Sequence, residues 1–214
     1  MRLIDYLDKG AMLGQDAPCL TMGTEDLSYG DVQRISHRVA RALQRSGIRP
    51  GDMVAVLSSN HALGFACVFG ISRAAAVWCP VNPRNEASEN RFVLDAFDCS
   101  CLVFHSNYAP MVEQMRANLP KVRVFVCLDA ELDFAPSWTQ WVDGVSDAPI
   151  DIAPVDDLAM IAGTGGTTGQ PKGVMLSGRN LETMSALTLM GYPFNGRPTY
   201  LALAPLTHAA GVLC

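Results

Sequence analysis

MVAVL (53–57), NHALGFACVFGISR (60–73), AVWCP (76–80), ASENRFVLDAF (87–97), CLVF (101–104), PMVEQMRANL (110–119) and VRVFVCL (122–128) follow one another along this chain. Short apolar runs alternate with longer segments whose apolar residues recur at helical spacing. A short run with almost no polar position has no face to offer solvent, so it predicts a strand buried on both sides. Strands of this kind separated by amphipathic helices predict an α/β fold, a parallel sheet with helices on both faces. Sheets so built take their ligands at the carboxyl ends of the strands.

Upstream, Cys19–Met22 and Leu27–Tyr29 flank the polar Gly23-Thr24-Glu25-Asp26, which predicts a hairpin. Ser28 with Asp31 three residues on is a capping-box pattern opening a helix, with Val32, Ile35, Val39 and Leu43 at helical spacing. Gly47 and Pro50 mark its stop. The basic residues Arg34, Arg38, Arg41 and Arg45 read as a solvated face of that helix. Ala62–Val81 is the most membrane-like stretch, but Arg73 and Pro80 interrupt it, so it reads as a buried helix followed by a buried strand. Downstream, Ala130–Asp157 is a poorly periodic connection carrying Trp138, Trp141 and three prolines among acids.

The 214 residues are long enough to bury a full core, and 49% hydrophobic with 17% charged describes a globular interior. A net charge of −5 argues against a nucleic-acid-coating face while leaving room for a small anion held by a few oriented groups. Seven scattered cysteines, odd in number and mostly inside apolar runs, read as reduced thiols and place the chain in a cytoplasm. Cys99-x-Cys101 near His105 offers too few ligands for zinc. The acids in Met1–Asp8 leave no signal-peptide core, and no transmembrane segment is expected.

After the apolar run Leu158–Ala162 comes GTGGTTGQPKGV (163–174). Five glycines in eleven residues let the backbone adopt positive φ and approach a ligand closely, turning N–H groups inward as an anion-binding nest. Thr164, Thr167 and Thr168 add hydroxyl donors, Lys172 adds a full positive charge, and Pro171 stiffens the approach to it. The spacing is not that of a Walker A loop, because Gly173 follows Lys172 where Ser or Thr is required. Nor is it the dinucleotide fingerprint, because Thr168 stands where that pattern needs glycine or alanine. Phosphate oxygens are the occupants this surface predicts.

The stretch Thr164–Val174 resembles the phosphate loop of the superfamily of acyl-CoA synthetases, nonribosomal peptide adenylation domains and firefly luciferase. Two positions depart from the family pattern: Gly165 replaces a usual serine and Gly163 a usual aromatic residue. Leu27–Asp31, Gly47–Ala55 and Ala76–Pro83 are similar to the family's opening segments, in the same order. Pro205-Leu206-Thr207-His208-Ala209-Ala210-Gly211 resembles its next motif, which presents a histidine or aromatic residue beside the acyl pocket. His37, His61 and His105 read as packed or capping side chains.

The resemblance implies an acid–thiol ligase: a carboxylic acid is activated by ATP as acyl-adenylate, with pyrophosphate leaving, and passed to CoA. It implies Lys172 and His208 as catalytic residues and Thr164, Gly165, Gly166, Thr167, Thr168, Gly169 and Lys172 as nucleotide-binding residues. Magnesium is implied too, with its ligands beyond Cys214; Thr24-Glu25 reproduces the magnesium dipeptide but lies in the opening hairpin turn. Residues 1–214 correspond to the N-terminal portion of the family's large domain, without its remainder or the C-terminal lid. The expectation is therefore a fragment, inactive alone, that exposes apolar surface a fuller chain covers. Two readings compete. An amino-acid-activating domain needs a carboxylate for the substrate ammonium, and no acid occurs from Gly196 to Cys214. A truncated, non-catalytic binding module is the other. The partners implied are a carboxylic acid, ATP and CoA, and a homodimer is left open.

Overall fold

The computed structural model describes all residues except 165–170, 193, 195, 197, 209–210 and 212–214. Helix α1 (Leu3–Leu13) leads into the antiparallel hairpin of β1 (Pro18–Met22) and β2 (Glu25–Ser28). Helix α2 (Tyr29–Arg45) starts at the expected capping box: the Ser28 hydroxyl takes the Asp31 N–H at 3.1 Å, and the Asp31 carboxylate takes the Ser28 N–H at 2.9 Å. The stop is also as expected, with Gly47 in the left-handed region at φ 79°.

The alternating segment folds as β3 (Met53–Leu57), α3 (Ala62–Arg73), β4 (Val77–Val81), α4 (Ala87–Ala96), β5 (Cys99–Phe104), α5 (Ala109–Arg116) and β6 (Val124–Cys127). A one-turn helix α6 (Trp138–Trp141) precedes β7 (Leu158–Thr164), β8 (Lys172–Ser177) and α7 (Gly178–Gly191). The main sheet runs β6-β5-β3-β4-β7-β8. Every neighbouring pair is parallel except β7 with β8, which is antiparallel. The expected parallel sheet with helices on both faces is present, and β8 adds one antiparallel strand at its edge, paired directly with β7.

Alternation along the strands feeds two cores. Val54 and Val56 join Val39, Leu43, Cys67 and Ile71 of α2 and α3 on one face. Ala55 and Leu57 join Leu94, Phe104, Val112 and Met115 on the other, under α4 and α5. Gly70 lets α3 close on α2, because a Cβ there would lie 2.4 Å from Val39 Cβ. The register shift opposite Met53 and Val54, which pair with Cys99 and Cys101, splits the two cysteines between the two cores. Both are buried and free.

The arginines of α2 differ from the solvated face expected of them. Arg38 donates to Val142 O at 3.0 Å and lies over the Trp138 ring at 5.5 Å. Arg41 reaches the carbonyls of Ala148 and Pro149, and Arg45 those of Asp143 and Trp141. Arg34 pairs with Asp31 one turn back, and it and Arg45 are the exposed members of the set. The aperiodic connection is therefore held to α2 by guanidinium–carbonyl bonds, which satisfy backbone that no strand or helix satisfies.

Among the described residues no helix is long and apolar enough to cross a membrane.

Candidate functional site

Strands β3, β4, β5, β6 and β7 all end on the same rim of the sheet. Strand β8, running the other way, begins there. The rim thus collects Ser58–His61 after β3, Asn82–Arg84 after β4, His105 after β5, Asp129 after β6, and Thr164 and Lys172 at the mouth of the β7–β8 hairpin. Chain order reverses around β3, with β4 on one side and β5 on the other. That is the kind of switch point at which open α/β sheets bind ligands.

Thr164 and Lys172 are the last register pair of β7 and β8, and the Thr164 hydroxyl donates to Lys172 O at 3.2 Å. The hydroxyl expected to face a ligand therefore closes the neck of the loop. Both residues are exposed, and among the described residues no side chain is paired with the Lys172 ammonium. Gly165, Gly166, Thr167, Thr168 and Gly169 lie outside the described residues.

Of the five glycines, the two that are described differ from the reading given them. Neither Gly163 nor Gly173 has positive φ. A Cβ on Gly163 would meet nothing within 4 Å. One on Gly173 would lie 2.7 Å from both Ile161 Cγ2 and Phe97 Cε1. Packing of β8 against Ile161 of β7 and Phe97, just after α4, is thus enough to require Gly173.

His208 is exposed, and its N–H donates to Pro205 O at 2.9 Å, closing a turn. That turn is brought to the rim by a residue the sequence reading passed over. Asn60 Nδ2 donates to Ala202 O at 2.8 Å and to Ala204 O at 3.0 Å, while its Oδ1 accepts from Leu206 N at 2.8 Å. No local pattern signals this, since the bonds span more than 140 residues of sequence.

The other histidines pack and cap as expected. His61 Nδ1 accepts from Gly64 N at the start of α3, His105 Nδ1 from Asn107 N, and His37 Nδ1 from Ile150 N. The rings of His61 and His105 meet edge to face at 5.1 Å. Burial first, and then the neighbouring His105, push the His61 pKa down, so neutral imidazole is favoured there. For Asp129, burial favours the neutral acid, but hydrogen bonds from the Ser106 hydroxyl and N–H outweigh it and hold the carboxylate below its ordinary range. Among the described residues no group of three or more His, Cys, Asp or Glu could hold a metal ion.

A mostly parallel sheet whose parallel strands all end on one rim, with helices on both faces, defines an open α/β domain. Residues 7–214 match the model of the AMP-binding enzyme family, and the chain belongs to that family. It is 31% identical over 206 residues to a feruloyl-CoA synthase of an Amycolatopsis species, covering 95% of this chain and 39% of that protein. It is 28% identical over 214 residues to a long-chain-fatty-acid–CoA ligase of Thermus thermophilus, covering 97% of this chain and again 39% of the relative. The N-terminal domain of FACL13 from Mycobacterium tuberculosis shares the fold with a TM-score of 0.89 at 23% identity, over 100% of this chain and 54% of that one. The chain therefore spans about two fifths of the length of these curated relatives.

Proposed function

We propose that residues 1–214 are the N-terminal portion of the large domain of an ATP-dependent acid–thiol ligase, which activates a carboxylic acid as its adenylate and transfers it to CoA. The observation that supports this reading is the Thr164–Lys172 pair at the carboxyl rim of the sheet, the two residues that flank the glycine-threonine stretch in sequence. A carboxylate is already a competent nucleophile. The catalytic problem is to bring it against the α-phosphorus of ATP although both carry negative charge. Lys172, with Thr167 and Thr168, holds the β- and γ-phosphates and takes up charge as pyrophosphate leaves. The exposed ammonium at the rim fits a phosphate tail. Magnesium would add charge neutralisation when bound, and its ligands would come from outside the described residues.

His208, on the turn tied to Asn60, borders the pocket for the acyl group. A fatty or aryl acid is favoured over an α-amino acid, because no acid from Gly196 to Cys214 could pair an ammonium. The rest of the large domain and a mobile lid would complete the site. Exposed Val174, Met175, Leu187, Met190, Leu201 and Leu203 are the surface such a remainder would cover.

The test is exchange of labelled pyrophosphate into ATP by a longer protein carrying this segment, given fatty or aryl acids. Exchange is expected, and 1–214 alone should bind ATP weakly and form no adenylate. Lys172→Ala should lower the exchange rate roughly ten- to a hundredfold, the worth of one charge-assisted contact that strengthens in the transition state. Exchange that survives Lys172→Ala and Thr168→Ala together would overturn the assignment.

A further inference from the structure

We infer that Asn60 is the positioning residue for the acyl side of this site: its carboxamide fastens the 202–206 segment to the carboxyl rim and so sets where the His208 turn stands. The inference rests on the proposed ligase function for its catalytic consequence, but the fastening itself rests on geometry alone.

Residues 198–207 form no helix or strand. Their backbone groups therefore need partners from elsewhere. Among the described residues, the hydrogen bonds tying this segment to the sheet all come from one side chain: two N–H donations to the carbonyls of Ala202 and Ala204, and one acceptance from the Leu206 N–H. The set is self-consistent in one orientation only. A flipped amide would aim its oxygen at two carbonyls and its NH₂ at an N–H. Asn60 is itself held near the end of β3, three residues past Leu57, and is followed at once by the His61 that caps α3. The carboxamide therefore stands between the end of β3 and the start of α3, and its bonds hold the turn that begins at Pro205. A longer or charged side chain could not replace it. Aspartate keeps the acceptor for Leu206 but opposes lone pairs to Ala202 O and Ala204 O, and glutamine overshoots by one methylene.

The fastening is tested first on this chain, by amide hydrogen exchange at Leu206 with Val54 in β3 as internal reference. In the wild type Leu206 should be protected. In Asn60→Ala it should exchange about tenfold faster or more, with Val54 unchanged, as expected when bonds of roughly 1 kcal/mol each are lost. Asn60→Asp should exchange faster still at neutral pH and regain protection on acidification, when the protonated carboxyl can donate to one carbonyl. An unprotected Leu206 in the wild type, or protection that survives Asn60→Ala, overturns the inference; so does an Asp variant insensitive to pH. Should Asn60→Ala fail to fold, the wild-type amide and the Asp titration still decide.

The second arm uses pyrophosphate exchange by the longer protein. Asn60→Ala should raise the KM for the carboxylic acid about tenfold while leaving the KM for ATP within about twofold. An equal rise in both, or in neither, overturns the positioning role. A wild type with no exchange at all refutes the proposed function instead, and leaves the Leu206 measurement standing.

Discussion

Thr164 and Lys172 meet as the final rung of the β7–β8 ladder, and the hydroxyl of the first donates to the carbonyl of the second at 3.2 Å. Six residues, 165–170, and Pro171 are enclosed between them. The two strand ends that flank this stretch are a register pair, at the ordinary spacing of paired strands, about 4.8 Å. Whatever the stretch holds, its two ends are set by the sheet.

Thr164→Val keeps shape but deletes that donor. The expected outcome is a small loss of stability, about 0.5–1.5 kcal/mol, seen in the denaturant midpoint. Amide exchange at Lys172 and Gly173 should rise more than exchange in β3. Unchanged exchange at the neck would show that the hydroxyl contributes nothing to closing it.

The two described glycines of the motif should behave oppositely. Gly173→Ala forces a methyl against Ile161 and Phe97 and is expected to cost about 1–3 kcal/mol. Gly163→Ala adds a methyl to open space and should stay within about 0.5 kcal/mol of the parent. Chemical denaturation of both variants checks the contrast, and equal costs would contradict it.

Arg38→Met should destabilise by about 1–2 kcal/mol, since it removes the bond to Val142 O and the stacking on Trp138. Arg34→Ala, which loses only an exposed pair with Asp31, should cost about 0.5 kcal/mol or less. Limited proteolysis gives a second readout: cleavage within 141–149 should accelerate in the Arg38 variant and not in the Arg34 variant.

His37 gives the stability a pH dependence. Its Nδ1 accepts from Ile150 N, and burial first, then the charge of Arg73, push its pKa below the ordinary value, with Arg41 adding to this and Asp8 opposing it. A depressed folded-state pKa means the unfolded chain takes up the proton more readily. The contribution is therefore full above the unfolded value of about 6.5 and is lost as pH falls through the folded value. Denaturant midpoints should decline on acidification below about pH 6.5. His37→Gln should flatten part of that decline; His61, depressed in the same direction, accounts for a further part. A profile identical to the parent's would show that His37 does not carry the dependence.

The sequence revealed most where a signal is local. The Ser28–Asp31 box, the Gly47 stop and the alternation from Met53 to Leu128 are consequences of hydrogen bonding and burial within a few residues, and they appear in the structure nearly where they were expected. The glycine-threonine stretch, one contiguous motif, carried the resemblance to the family for the same reason. Strand order was not, because the pairing of β3 with both β4 and β5 is decided between segments far apart in the chain. The reversal into β8 was missed because KGVMLS (172–177) alternates poorly and lies at an edge, with Val174 and Met175 exposed. The α2 arginines were misread because helical spacing says which residues share a face, and not what lands on it. Asn60 was invisible altogether: an asparagine after a strand is ordinary turn chemistry until the segment 142–146 residues later is seen resting on it.

Strand β8 closes the list of strands on its side of the sheet, so its outer main-chain donors and acceptors face no neighbouring strand among the described residues. A bare rim bordered by valine and methionine is a template for zippering with a second molecule, strand against strand. For residues 1–214 the expected outcome is turbidity that grows steeply with protein concentration, read by light scattering. A lysine or proline placed at position 175 would blunt that growth.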